Sequence, residues 1–287
     1  MESRIATYQL EFIDEPFKGK NREFKSTVIV RVFIENNLVA KNYYGFITKE
    51  EVYQEIAENN YINLDQCYLK NFSAAELRKE LKLLENSTVE LEKFSAQNAF
   101  FDCTLEIDFS YIYFNKGVNF FNTIFSHGNV SFYESKFLDG NVNFKNTQFG
   151  NGENNFQYAD FGNGDVTFYN AVFYGGLVSF VNAQFNDGDA NFSNIDFHNS
   201  KVKFHFAKFG DGDINFQKSK FGNQTIDFRR VEFGLGKLDF RRALFGDGYV
   251  TFDESENEGG KLNFKLARFG NTDISFKQVN FSKSELL

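Results

Sequence analysis

The side chains able to do chemistry at neutral pH are few: three histidines, His127, His198 and His205, and two cysteines, Cys67 and Cys103, in 287 residues. A histidine can relay protons, but no nucleophile lies near any of these in the repeat frame set out below. His127 and His198 fall in turn segments and His205 follows Phe204, so solvated surface histidines are expected. The cysteines are too few for a disulfide framework and lack zinc-ligand spacing. No phosphate loop or nucleophile elbow is present. The sequence thus reads as non-enzymatic, with no catalytic residue, cofactor or resident metal expected.

Two turns, GNGD (162–165) and GDGD (210–213), place carboxylates on glycine turns, which suits calcium. The simpler reading is that Gly permits positive φ at a corner while Asp and Asn suit turns. In DESENE (253–258), Asp253, Glu254, Glu256 and Glu258 gather around Asn257. They would dock a basic partner, or pair with Arg229 and Arg230. Tyr158, Tyr169, Tyr174 and Phe206 form a candidate protein-binding patch, since Tyr is favoured at interfaces.

Acids outnumber bases 39 to 31, giving a net charge of −8, which disfavours direct nucleic-acid binding. No stretch approaches a membrane span and the start, MESRIATYQLEF, lacks a signal-peptide core, so a cytoplasmic protein without membrane contact is expected. The most lopsided feature is 40 Phe with no Trp and a single Pro, Pro16.

Those Phe are periodic. One series runs Phe120, Phe132, Phe144, Phe156 and onward to Phe276, and a second runs Phe125, Phe137, Phe149 to Phe281, with Asn257 the single exception. Branched residues stand two before the first series (Val118, Val130, Val142, Val166) and smaller ones two before the second (Ala159, Ala171, Ala183, Ser219). Spacing of two is strand periodicity, and recurrent Gly disfavours helix. Short strands repeated in register describe a parallel β-solenoid.

Two such units per coil are expected, because two Phe, a Val and an Ala would overfill a twelve-residue ring. The outward columns agree: Asn122, Asn146, Asn170 and Asn194 are twenty-four apart, as a side-chain ladder requires. The repeat from Phe120 onward then makes seven coils.

This pattern resembles the pentapeptide-repeat family. INLDQ and CYLKN (62–71), VELEK and AFFDC match its unit with Leu64, Leu69, Leu91 and Phe101 at the centre, and the later units look like two pentapeptides with two extra turn residues. The resemblance implies a right-handed, four-sided parallel β-helix. It departs from the family in its longer coil and in lacking Asp or Asn before the second Phe, as at Val172 and Lys208. The family also contains DNA-mimicking dimers that occupy gyrase, which would need a continuous negative stripe; residues 86–287 hold 25 acids and 19 bases.

Ahead of the rod, EFKSTVIVRVFIEN (23–36) alternates as a strand, with YQLEF (8–12) and LVAKNYYGFI (38–47) as antiparallel partners. Thr48 with Glu51, and Ser73 with Glu76, are capping-box signatures. The expected organisation is a small α+β module at 1–61, a transition at 62–88 with a helix near 73–86 covering the first coil, and the solenoid at 89–287. The thin cover after Phe281 suggests a homodimer through the last coil. The functional expectation is a rigid scaffold that binds another protein, with gyrase mimicry and a calcium-stabilised surface protein as alternatives.

Overall fold

A computed structural model describes residues 6–280. The chain is a β-solenoid whose coil turns through four faces, and residues 24 apart pair in parallel on each face. On face I the register reads Val118↔Val142↔Val166↔Ala190↔Ile214↔Leu238↔Leu262. Face II carries Ile124, Gln148 and Val172, face III Val130, Asn154 and Val178, and face IV the rows ending at Phe137, Phe209 and Phe233.

Among the described residues both Phe series point inward. Phe132, Phe156, Phe180, Phe204 and Phe228 are wholly buried and stacked, with centroids 5.2, 4.7, 4.8 and 5.1 Å apart in turn. Each coil's two first-series rings meet edge to face, as in Phe156–Phe168 at 5.6 Å and 90°. Stacking up the rod and edge contacts across it are the two arrangements an aromatic quadrupole favours. Where Ser or Thr takes the small position, its hydroxyl bonds a carbonyl beneath: Thr147 Oγ1 to Phe120 O at 2.8 Å, Ser219 Oγ to Phe192 O at 2.7 Å. A hydroxyl therefore costs little inside an otherwise apolar core.

Two kinds of corner turn the chain. Between faces I and II, and between III and IV, one residue sits in the left-handed region. Asn122, Asn146, Asn170 and Asn194, with φ of 55–58°, occupy the first of these corners. The Asn column is thus set mainly by backbone, since Asn tolerates that region best after Gly. Its ladder is real too, with Asn122 Nδ2 donating to Asn98 Oδ1 at 2.9 Å. The remaining corners are the Gly segments. Most of their glycines are not at positive φ, which corrects the expectation: the stack itself excludes a side chain. A Cβ on Gly236 would overlap the carbonyl oxygen of Gly212, and one on Gly260 that of Gly236.

Stacking begins earlier than residue 89. Tyr61–Asn63 pairs in parallel with Lys93–Ser95, making face I nine strands long, so two coils precede the seven read from the Phe series. Leu64 and Leu69 already fill the core of the first coil. Strands Thr7–Ile13, Thr27–Ile34 and Asn37–Phe46 are antiparallel as expected. Asn37–Phe46 then pairs in parallel with Cys67–Lys70, so the N-terminal sheet continues face II. It packs over that face: Val28, Val30 and Tyr44 form a second small core with outward-pointing Tyr68 and Phe100.

The cap is shared rather than made by the helix at 73–86 alone. Helix α1 (Lys49–Asn59), with its full Thr48–Glu51 capping box, buries Val52, Tyr53 and Ile56 in the main core. Tyr53 packs on Phe72, 5.8 Å between centroids. Helix α2 is only Ala74–Glu80: Leu77 is buried, but Leu84 lies beyond the helix and in solvent. Together the helices and the paired strand cover the first coil's open backbone.

Candidate functional site

The potentially reactive side chains are occupied structurally. Cys67 and Cys103 are free and buried, and burial pushes both thiols up, Cys103 to about 12, so neither is a thiolate at neutral pH. The histidines are half-buried rather than freely solvated. His127 meets Tyr8 at 5.3 Å, His198 stacks on Tyr174 at 5.2 Å, and His205 Nδ1 lies 3.6 Å from Asp227. These contacts come from neighbouring coils and the N-terminal strand, which turn-level reading does not see.

The acidic turns bind backbone. Asn141, Asp165, Asp189 and Asp213 form one column on face I, and each Oδ1 accepts the N–H of the residue one coil on: 3.0, 3.1, 2.8 and 2.8 Å. Among the described residues no three His, Cys, Asp or Glu gather to hold a metal ion. The run of carboxylates spans three rungs before Lys237 takes the same position.

In the segment 253–258 the missing Phe makes no bulge. Glu256–Asn257 pairs with Glu232–Phe233 in unbroken register, and Asn257 is buried with its Oδ1 accepting from Gly259 N at 3.0 Å. Its Nδ2 has no partner. The expected ion-pair ladder is half formed. Arg230 Nε bonds Glu254 at 2.8 Å, whereas Arg229 turns back to Asp227 at 2.7 Å and Asp253 accepts from Lys277 N instead. Burial alone would raise the Asp227 carboxyl; its bonds from Arg229 outweigh this and hold it below the usual range. Glu256 and Glu258 are exposed.

The four aromatics do not form one patch. Tyr169 follows face I, where Lys145 sits 5.3 Å over its ring, and Tyr174 lies after face II, stacked on His198. Tyr158 and Phe206 do share a side, the left-handed corner between faces III and IV, where they are 50% and 41% exposed. Two tyrosines missed in the sequence extend that ridge: Tyr111–Tyr133 and Tyr133–Tyr158 both meet edge to face at 5.7 Å. Below Phe206 the same corner carries Arg230, whose guanidinium sits 5.3 Å over the Phe206 ring, and then Glu254. One edge of the rod thus reads Tyr111, Tyr133, Tyr158, Asn182, Phe206, Arg230, Glu254. The twenty-four-residue stacking rule applied to outward aromatics would have found Tyr111 and Tyr133, allowing for one residue of offset.

No protein-family model matches the chain, and no curated protein or solved structure resembles it closely enough to count as a match. Among the described residues no helix is long and apolar enough to cross a membrane. The last segment, SKSELL after Phe281, lies outside the described residues, and with it the end through which a dimer was expected.

Proposed function

We propose that this chain is a non-catalytic scaffold of the pentapeptide-repeat type, a cytoplasmic solenoid rod that docks another protein along the corner between faces III and IV. The observation that carries the reading is the placement of Tyr158 and Phe206. Both hold left-handed backbone, φ 57° and 59°, which costs a large side chain about 1–2 kcal/mol relative to Gly. Both nevertheless leave much of their rings in solvent. Asn tolerates that backbone better, as at Asn182 between them. Exposed Tyr and Phe beside an Arg match the composition of binding hot spots.

The test uses the full chain as bait in three forms: unaltered, Tyr158→Asn with Phe206→Asn, and Leu266→Asn on the opposite corner. A protein retained by the first and third but lost by the second supports the ridge. Equal retention by all three refutes it. A homodimer through the C-terminal coil is a second proposal, favoured by the exposure of Phe269 and Phe276 near that end; sedimentation of the chain as a monomer up to high micromolar concentration discards it.

A further inference from the structure

The opposite left-handed corner, between faces I and II, carries a different anomaly. In four rungs it holds Asn122, Asn146, Asn170 and Asn194, and then it switches to Lys218 and Arg242, with φ of 58° and 59°. These two cations are stacked one coil apart, as the backbone bond from Lys218 N to Arg241 O requires. Neighbouring rings in these rungs, Phe216, Phe240 and Phe264, are 5.0 and 4.9 Å apart, which sets the spacing. Like charges so close repel, and neither residue type suits the backbone they share.

Arg241 and Lys265 stand beside them, and with Gln217 and Leu266 the four cations line an open groove of about 380 Å³. Among the described residues, the side chains of Lys218, Arg242 and Lys265 form no ion pair. Asp239, which pairs with Arg241 at 2.8 Å, is buried and also committed to Lys237. On the corresponding rungs of the other corner the contrast is plain, for Arg230 there has Glu254. A cluster of uncompensated cations on a chain of net charge −8 is therefore local, held on backbone that favours other residues.

We propose that this groove is an anion site for an oligophosphate, in which Lys218, Arg242 and Lys265 neutralise successive phosphoryl groups and Leu266 flanks the site. Guanidinium and ammonium side chains rooted on rungs about 5 Å apart and lining one groove suit a short run of phosphates better than one isolated charge. That run is shared by inorganic tripolyphosphate and by the tail of a nucleoside triphosphate. The site is independent of the aromatic ridge and stands or falls without it.

The experiment is a thermal shift on the full chain in EDTA buffer at fixed ionic strength, with inorganic tripolyphosphate, ATP, inorganic monophosphate or added chloride. Tripolyphosphate and ATP should each raise Tm in a saturable way, and the tighter of the two assigns the source. Lys218→Asn and Arg242→Asn restore the residue the rod uses on earlier rungs. Each should raise the Tm of the unliganded chain by about 2–4 °C while at least halving the tripolyphosphate shift. Arg230→Asn, on the far corner, should leave that shift intact. A shift matched by chloride or monophosphate, or one undiminished in both Asn variants, overturns the proposal, as does a fall in unliganded Tm in both.

Discussion

Replacing Phe180 by Ala removes a ring that is completely buried and stacked on both sides, 4.7 Å from Phe156 and 4.8 Å from Phe204. It also meets Phe168 and Phe192 edge to face, at 5.6 and 5.8 Å. Loss of such a ring costs about 3–5 kcal/mol, because stacked neighbours cannot close the hole. Phe276 is the counterpart near the end: 46% exposed, among the described residues it stacks on Phe252 alone, at 5.1 Å. With roughly half the burial and one stacking partner, Phe276→Ala should cost about 1–1.5 kcal/mol. A single unfolding midpoint does not locate the loss along the rod, since each coil contacts only its neighbours. Hydrogen exchange read by mass spectrometry resolves the effect along the rod. In Phe180→Ala, protection should fall in peptides spanning 144–216 and hold in 61–120. Uniform loss along the whole chain, or equal cost at the two sites, would refute the picture of additive rungs.

Leu266, exposed and left-handed at φ 60°, should become more stable by about 1 kcal/mol when changed to Gly, read as a higher urea midpoint for the last coils; a lower midpoint contradicts the assigned backbone strain. Asn257→Phe should extend the column Phe185, Phe209, Phe233 and remove an unpartnered amide, adding about 1–2 kcal/mol; destabilisation would show that the slot has no room for a ring. Burial raises the Asp239 carboxyl, but bonds from Arg241 and Lys237 more than offset this, and Asp227 behaves likewise with Arg229. A carboxyl lowered in the fold stabilises it above its unfolded pKa of about 4 and loses that contribution as pH falls. Melting temperature should therefore drop from pH 5 to pH 3, and less steeply in Asp227→Asn/Asp239→Asn; identical slopes would assign the acid sensitivity elsewhere.

The interior was legible because stacking makes it redundant. A Phe every twelve residues at two phases leaves one geometry with room for the rings, and the outward Asn column set the revolution at twenty-four. What escaped was whatever depends on a neighbouring coil's backbone. Gly236 looks like a turn residue, but it is dictated by Gly212 O one coil away. Asp165 looks like a cation ligand, but its Oδ1 accepts Asp189 N. Lys218 and Lys265 fall in line with Arg242 and Arg241 only when the coils are laid over one another. The N-terminal boundary was missed for a different reason. The first coil is interrupted by α2, so Tyr61 pairs with Lys93 at a longer separation than later rungs use, and the period is hidden.

Parallel register turns the molecule into a graduated scale. From Val118 to Leu262 on face I, any two outward positions separated by a whole number of revolutions stand at a fixed multiple of roughly 5 Å, the interval between stacked strands. Paired probes placed at 122 and 194, or at 146 and 242, would be held at separations known from residue numbers alone. A binding partner touching two such marks is constrained to the same gradation.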